Sequence, residues 1–193
     1  RGLMACPPAF RLSLKQVDDA GVFSGIGSVF GHLDSGGDVV AAGAFKASLA
    51  RHAAAGSMPA MLWQHDQAQP IGVWSKMEER AEGLYVEGRL VLEAAKAREA
   101  HALMKAGALN GLSIGYATIV EEWDHENGVR ILKELDLWEV SIVTFPMCEP
   151  ARVSSVKKEG RRQPAQAKRD AFAPLARGLK LRGAALRRLN ELL

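Results

Sequence analysis

A serine hydroxyl attacks a carbonyl only when a base lies close enough to take its proton and a third group holds that base in the right tautomer. Three positions have the residue types for these roles. Ser113 lies in Asn110-Gly111-Leu112-Ser113-Ile114-Gly115-Tyr116, with a glycine two residues away on either side. Small neighbours let a substrate backbone approach and leave amides free to hold an oxyanion. The same residues also suit an ordinary serine at the start of a strand. His65 ends Met61-Leu62-Trp63-Gln64-His65, an apolar strand running into a turn, where a side chain is firmly rooted yet reaches a cleft. A plain turn histidine fits that position too. Glu139 sits inside Leu137-Trp138-Glu139-Val140-Ser141-Ile142-Val143. Burying even a neutral polar group unpaired costs about 2–7 kcal/mol, so a carboxylate in this apolar run calls for a partner, and an imidazole is a suitable one. On a solvent-facing strand position it would pair with lysine or arginine, if at all. Asp136 and Asp66 are the rival acids for the third role; Glu139 is preferred.

Gly111-x-Ser113-x-Gly115 matches the letters of the nucleophile elbow of α/β-hydrolases. That elbow needs a strand before the serine and a helix after it, whereas here a helix precedes and a strand follows. His32, His52, His101 and His125 are scattered without metal-ligand spacing, and Cys6 and Cys148 form no paired motif, so no metal or other cofactor is expected. Cys148 precedes Glu149 and Pro150 with no basic partner nearby in sequence, and reads as structural rather than nucleophilic. Gly25, Gly27 and Gly31 are followed by no Lys-Ser or Lys-Thr, and suit a bent strand better than a phosphate loop.

The elements that must position these residues follow from periodicity. Alternation at Phe10, Leu12 and Leu14 predicts a strand over 10–17, and β-branched, aromatic and glycine residues predict a bent strand over 22–30. A turn cluster at 31–37 leads to a short strand at 38–40, then a helix over 44–55 and a strand over 59–65. Residues 67–70 read as a turn, and 71–78 with 84–92 as a hairpin. Helix-forming residues over 93–108 end at Gly107. Strands at 113–123 and 129–144 flank the turn residues 124–128. Many short strands and few helices predict a mainly β (α+β) fold: an antiparallel β-barrel surrounded by helices.

At 193 residues the chain suits one domain and a tail. Its hydrophobic and charged fractions, 48% and 24%, are those of a soluble globular protein rather than a disordered or coiled-coil one. No apolar run approaches the roughly 20 residues of a membrane span, and residues 1–10 carry no export signal, so no membrane association and a cytoplasmic setting are expected. The net charge of +3 hides a division: residues 1–150 carry 13 basic against 19 acidic side chains, and residues 151–193 carry 12 against 3. A domain over 1–152 and a basic tail over 153–193 are therefore expected. Leu175, Leu179, Leu186, Leu189 and Leu193 fit one face of an amphipathic helix in that tail. Its charge suits nucleic-acid phosphates or an acidic face of a protein partner, and equally a solvated extension.

Taken in order, Phe30-Gly31-His32-Leu33-Asp34, Gly37-Asp38-Val39-Val40, Met61-Leu62-Trp63-Gln64-His65-Asp66, Gly83-Leu84-Tyr85-Val86-Glu87-Gly88, Leu112-Ser113-Ile114-Gly115-Tyr116 and Leu137-Trp138-Glu139-Val140-Ser141-Ile142-Val143 resemble the tailed-bacteriophage prohead maturation proteases, relatives of the herpesvirus assemblins. The resemblance spans about 22–153. It implies an assemblin-like barrel and a serine endopeptidase with His65 as base, Ser113 as nucleophile and Glu139 orienting His65; the assemblins place a second histidine where Glu139 stands. An arginine-bearing loop in the assemblins makes Arg152 a further candidate. The implied partners are scaffold or the scaffold-like region of the major capsid protein, and the protease itself, within the immature shell in the bacterial cytoplasm. The alternative from another class is a non-catalytic assembly module that binds capsid protein or nucleic acid through its basic tail.

Overall fold

Three long strands, of 14, 14 and 15 residues, form the backbone of the fold. The structure is a computed structural model, described over residues 17–155. Its elements are β1 Val22–Val29, β2 Asp38–Val40, α1 Lys46–Ala54, β3 Ala60–Trp63, β4 Asp66–Glu79, β5 Gly83–Leu90, α2 Ala95–Lys105, β6 Gly111–Asp124, β7 Val129–Val143 and β8 Val153–Ser155. The order across the sheet is β2-β7-β3-β4-β5-β1-β8, with β6 paired to β7. The fold is mainly β with two helices among the described residues.

The sheet is mixed, which corrects the expectation of an antiparallel barrel. β2 and β3 both run parallel to β7, while the remaining pairs are antiparallel. Strand length and number carry no information about direction. β3 and β7 lie far apart in the chain, so no tight turn fixes their sense and a crossover is free to make them parallel. The sheet curls into a half barrel. Residues 151–153 stitch its flanks: Leu112 N–H donates to Ala151 O (3.1 Å), Val153 N–H to Asn110 O (3.0 Å) and Ile26 N–H to Arg152 O (3.0 Å).

Phe23, Phe45, Met61, Ile71, Leu84, Leu90, Leu112, Leu132, Leu135, Leu137 and Ile142 are fully buried in one core. Burying a side chain of this size contributes about 1.5–3 kcal/mol, so packing rather than capping holds the helices. Neither helix has a side-chain N-cap; α2 sinks Ala97, Ala100 and Met104 into the core. α1 packs on β7 and fills the edge of that strand between β2 and β3. There Leu135 N–H donates to Ala44 O (2.9 Å), Leu137 N–H to Ser48 Oγ (2.9 Å), and the His52 ring meets Leu137 O (3.0 Å). Both backbone groups of Leu137 are thus satisfied by α1 side chains.

Residues 67–70 are not a turn but part of β4. The reversal lies one step earlier, at Gln64 and His65, and Pro70 is tolerated because it faces Leu62 at a register irregularity, where its missing N–H removes no regular ladder bond. The sheet continues past Arg152: β8 pairs with β1, the apolar Val153 extending it before the basic run begins. The strand expected over 10–17, except Val17, and the amphipathic tail helix lie outside the described residues. No helix among the described residues is long and apolar enough to cross a membrane.

Candidate active site

Ser113, Glu139 and Ser141 share one face of the sheet because β6 and β7 are in register there. Ser113 faces Ser141 and Gly115 faces Glu139, and directly opposed residues project to the same side. Just beyond, the register shifts: Tyr116 faces Leu137, leaving Trp138 as an extra residue on β7. Such a bulge re-aims its neighbours. Trp138 is turned out, 57% exposed, while Glu139 is turned in at 8%. The Ser48 and His52 contacts to Leu137 hold the bulge from the other edge.

His65 reaches the same place by a different route. β3 lies beside β7 with Ala60 opposite Glu139 and Leu62 opposite Ser141, and the chain then reverses into β4 through Gln64 and His65 alone. Both have positive φ, 52° and 62°, as a two-residue hairpin of matching twist requires. Neither is the glycine or asparagine that favours such a turn, so each costs about 1–3 kcal/mol of backbone strain. The turn is therefore tied down to the end of β7. Gln64 N–H donates to Ile142 O (3.1 Å). The Gln64 amide gives its N–H to Thr144 Oγ1 (2.8 Å) and accepts from Thr144 N–H (3.2 Å). His65 N–H donates to Ser141 Oγ (3.0 Å).

The imidazole and carboxylate meet with His65 Nδ1 2.5 Å from Glu139 Oε1. An ionised carboxylate can only accept, so Nδ1 carries the proton and Nε2 keeps its lone pair for another partner. The hydrogen bond to Glu139 raises the proton affinity of His65 above the usual imidazole value, and burial only partly opposes it. The other oxygen, Glu139 Oε2, accepts from the Ser141 hydroxyl at 2.7 Å. Asp66 does not meet His65: its carboxylate accepts from Ala68 N–H and the Gln69 side chain at the start of β4. Asp136 is held by Arg51 and Trp138.

Ser113 and His65 line one cleft together with residues 27–29 of β1 and with His32, Asp34, Asp38 and Tyr116. Ser113 has no hydrogen-bonded side chain partner among the described residues. No fully buried side-chain N or O there lacks a partner, so the Ser113 hydroxyl opens to the cleft rather than into the core. Asp38 is neutralised by Arg130, with two contacts at 2.7 and 2.5 Å. Burial and the neighbouring Asp38 charge push the Tyr116 phenol up to about 12.

Gly115 serves a purpose its sequence context did not suggest. A Cβ placed there would stand 2.3 Å from Glu139 Oε1 and 2.9 Å from its Cγ and Cδ. The glycine makes room for the buried carboxylate.

The sequence pattern of the caudovirus prohead serine proteases matches residues 10–165. The chain belongs to this family. It is 34% identical over 139 residues to the prohead protease of Enterobacteria phage HK97, covering 71% of this chain and 60% of that protein. With the prohead protease of Escherichia phage T5 it shares 35% identity over 115 residues, covering 58% and 52%. A 35% match over 109 residues to the capsid polyprotein of Pseudomonas phage PAJU2 covers 53% of this chain and 16% of the polyprotein. The chain thus spans little more than half the length of the two prohead proteases it matches.

In this prohead protease family member the cleft also holds Cys148. Burial pushes its thiol up, which keeps it protonated and poorly nucleophilic near neutral pH. Arg152 does not line the cleft: its guanidinium lies against Ala151 O at 3.5 Å, and its backbone bonds to β1. His52 and His101 are bonded to the carbonyls of Leu137 and Asp18 and hold structure. Reading the strand with period two would have put Ser141 on the face of Glu139. Nothing in the sequence alone would have placed Gly115 under it.

Proposed function

We propose that the chain is a serine endopeptidase of prohead maturation, with Ser113 as nucleophile, His65 as base and Glu139 as the group that orients His65. The observation that carries this is His65, its ring paired with the buried Glu139, lining the same cleft as Ser113, whose hydroxyl has no hydrogen-bonded side-chain partner among the described residues. His65 Nε2 takes the Ser113 proton as Oγ forms its bond to the scissile carbonyl carbon. The imidazolium, steadied by Glu139, gives that proton to the leaving amine as the C–N bond breaks, and water then hydrolyses the acyl-enzyme by the same base. Ser113 and His65 are not hydrogen-bonded to each other in the free protein; such contacts tighten when substrate seats.

Family membership supports scaffold, or the scaffold-like region of the major capsid protein, as the substrate, and the immature shell within the host cytoplasm as the place of action. The match to a capsid polyprotein favours capsid protein as the partner. The curl of the sheet and the residues 151–153 that stitch it favour an assemblin-like barrel. Residues 1–152 with β8 form the protease domain in this reading. The basic tail beyond it is a segment removable by self-cleavage; finding 151–193 intact in incubated protein that cuts other substrates rules that out. A fluorophosphonate probe tests the catalytic reading: it labels Ser113 in the wild type but not in Ser113→Ala or His65→Ala. A folded, assembled sample that is not labelled leaves the chain as an assembly module.

A further inference from the structure

We infer that Ser141 is a positioning residue for the His65–Glu139 pair, one hydroxyl that fixes both the carboxylate and the backbone carrying the imidazole. The inference rests on the protease reading above and deepens it. A serine hydroxyl has one proton to give and lone pairs to accept with. Ser141 uses both within the site: its proton goes to Glu139 Oε2 at 2.7 Å and its oxygen receives His65 N–H at 3.0 Å. With His65 Nδ1 and Glu139 Oε1 at 2.5 Å, the contacts form a closed ring: His65 backbone, Ser141 hydroxyl, Glu139 carboxylate, His65 ring. Ser141 is wholly buried, so water does not replace it.

The ring matters because both of its other members need an external hold. His65 sits in the left-handed region, where a histidine does not rest unaided. Glu139 has two oxygens and must present a chosen one to the imidazole; a donor fixed on Oε2 leaves Oε1 for Nδ1. Ser141 lies directly opposite Ser113 across β6 and β7, so the frame that holds the base is built on the strand pair that holds the nucleophile. Among the described residues the other titratable side chains facing the cleft are His32, Asp34, Asp38, Tyr116 and Cys148, and none is hydrogen-bonded to His65. Arg130 is occupied by Asp38 and Glu121.

The test uses the full chain with Ser141→Ala and with Ser141→Cys, which keeps the shape and only a weak donor. Two quantities are read: the rate of fluorophosphonate labelling of Ser113 across pH, and the titration of the His65 ring by NMR. The expected result is a loss of labelling rate of roughly 10–100-fold in Ser141→Ala, an intermediate loss in Ser141→Cys, and a His65 titration moved down towards the ordinary imidazole value in both. An unchanged His65 titration overturns the inference, whether or not labelling slows, because a merely structural serine would leave the ring's partner in place. If Ser141→Ala does not fold, Ser141→Cys decides by the same two readings. Absence of labelling in the wild type overturns the protease reading instead, and the ring titration still decides the role of Ser141.

Discussion

Adding one methyl group at Gly115 should disable the site while leaving its three chemical groups intact. The Cβ of Gly115→Ala would begin 2.3 Å from Glu139 Oε1, whereas relaxed non-bonded contacts lie near 3.5 Å, so the carboxylate must retreat by about 1 Å. It has nowhere free to go. Its Oε2 is held by Ser141, and any retreat lengthens the 2.5 Å contact to His65. A misplacement of about 1 Å costs on the order of 10²-fold in rate, and losing the third member's orienting role altogether costs about 10⁴-fold. The labelling rate of Ser113 should therefore fall by about 10²–10⁴-fold. Overpacking costs about 1–3 kcal/mol of stability, a thermal shift of several degrees that leaves the protein folded at 25 °C. The sign is itself informative, since alanine for glycine in an unhindered strand would stabilise by about 0.5–1 kcal/mol. The assay is the second-order labelling rate with a fluorophosphonate, alongside a melting curve. Because the methyl acts only through Glu139, Gly115→Ala combined with Glu139→Gln should be no slower than the worse single variant. A folded Gly115→Ala protein labelled within about threefold of wild type would refute the assignment of Glu139 as the orienting group.

Two further predictions follow from the same geometry. Glu139 raises the proton affinity of His65, and in the proposed mechanism the neutral imidazole is the base, so the acid limb of the wild-type labelling profile should lie above about 6.5 and drop towards that value in Glu139→Gln. The matching stability difference between the two proteins should be fully present below about 6.5 and fade as pH rises through the raised folded value; denaturant titrations from pH 5 to 9 check it. Ser48→Ala leaves Leu137 N–H, buried on β7, without its acceptor and should cost about 1–3 kcal/mol. It should also slow labelling several-fold, because the bulge that turns Glu139 inward loses one of its two ties; a melting curve and the labelling rate measure both.

The chemistry was more legible in the sequence than its support. β-Branched, aromatic and glycine residues marked β1, strand-like runs around turn residues marked the β4–β5 hairpin and the β6–β7 pair, and Gly107 beyond the end of α2, with a positive φ of 76°, marked that helix stop. The strand end at His65 was legible, but the tight reversal through Gln64 and His65 was not: neither is the glycine or asparagine that such a turn favours, and contacts to β7 hold it. Likewise Pro70 looked like a turn residue and lies in a strand, since a register irregularity spares it a ladder bond. The parallel sense of β3 against β7 had no local signal at all.

By itself, the sequence determined which residues have the right chemistry: a serine between glycines, a histidine at a strand end, a carboxylate in an apolar run that needed a partner. Those are properties of residue type and near neighbours, and burial of an unpaired carboxylate is costly in any fold. Only the tertiary structure decided that Glu139, rather than Asp66 or Asp136, is the acid that meets His65. It also decided that Ser141 closes the ring and that Gly115 is empty so that Glu139 can be there. These depend on strand register and on a bulge at Trp138, where a shift of one residue would turn every side chain to the other face, and register is set by contacts between segments far apart in the chain.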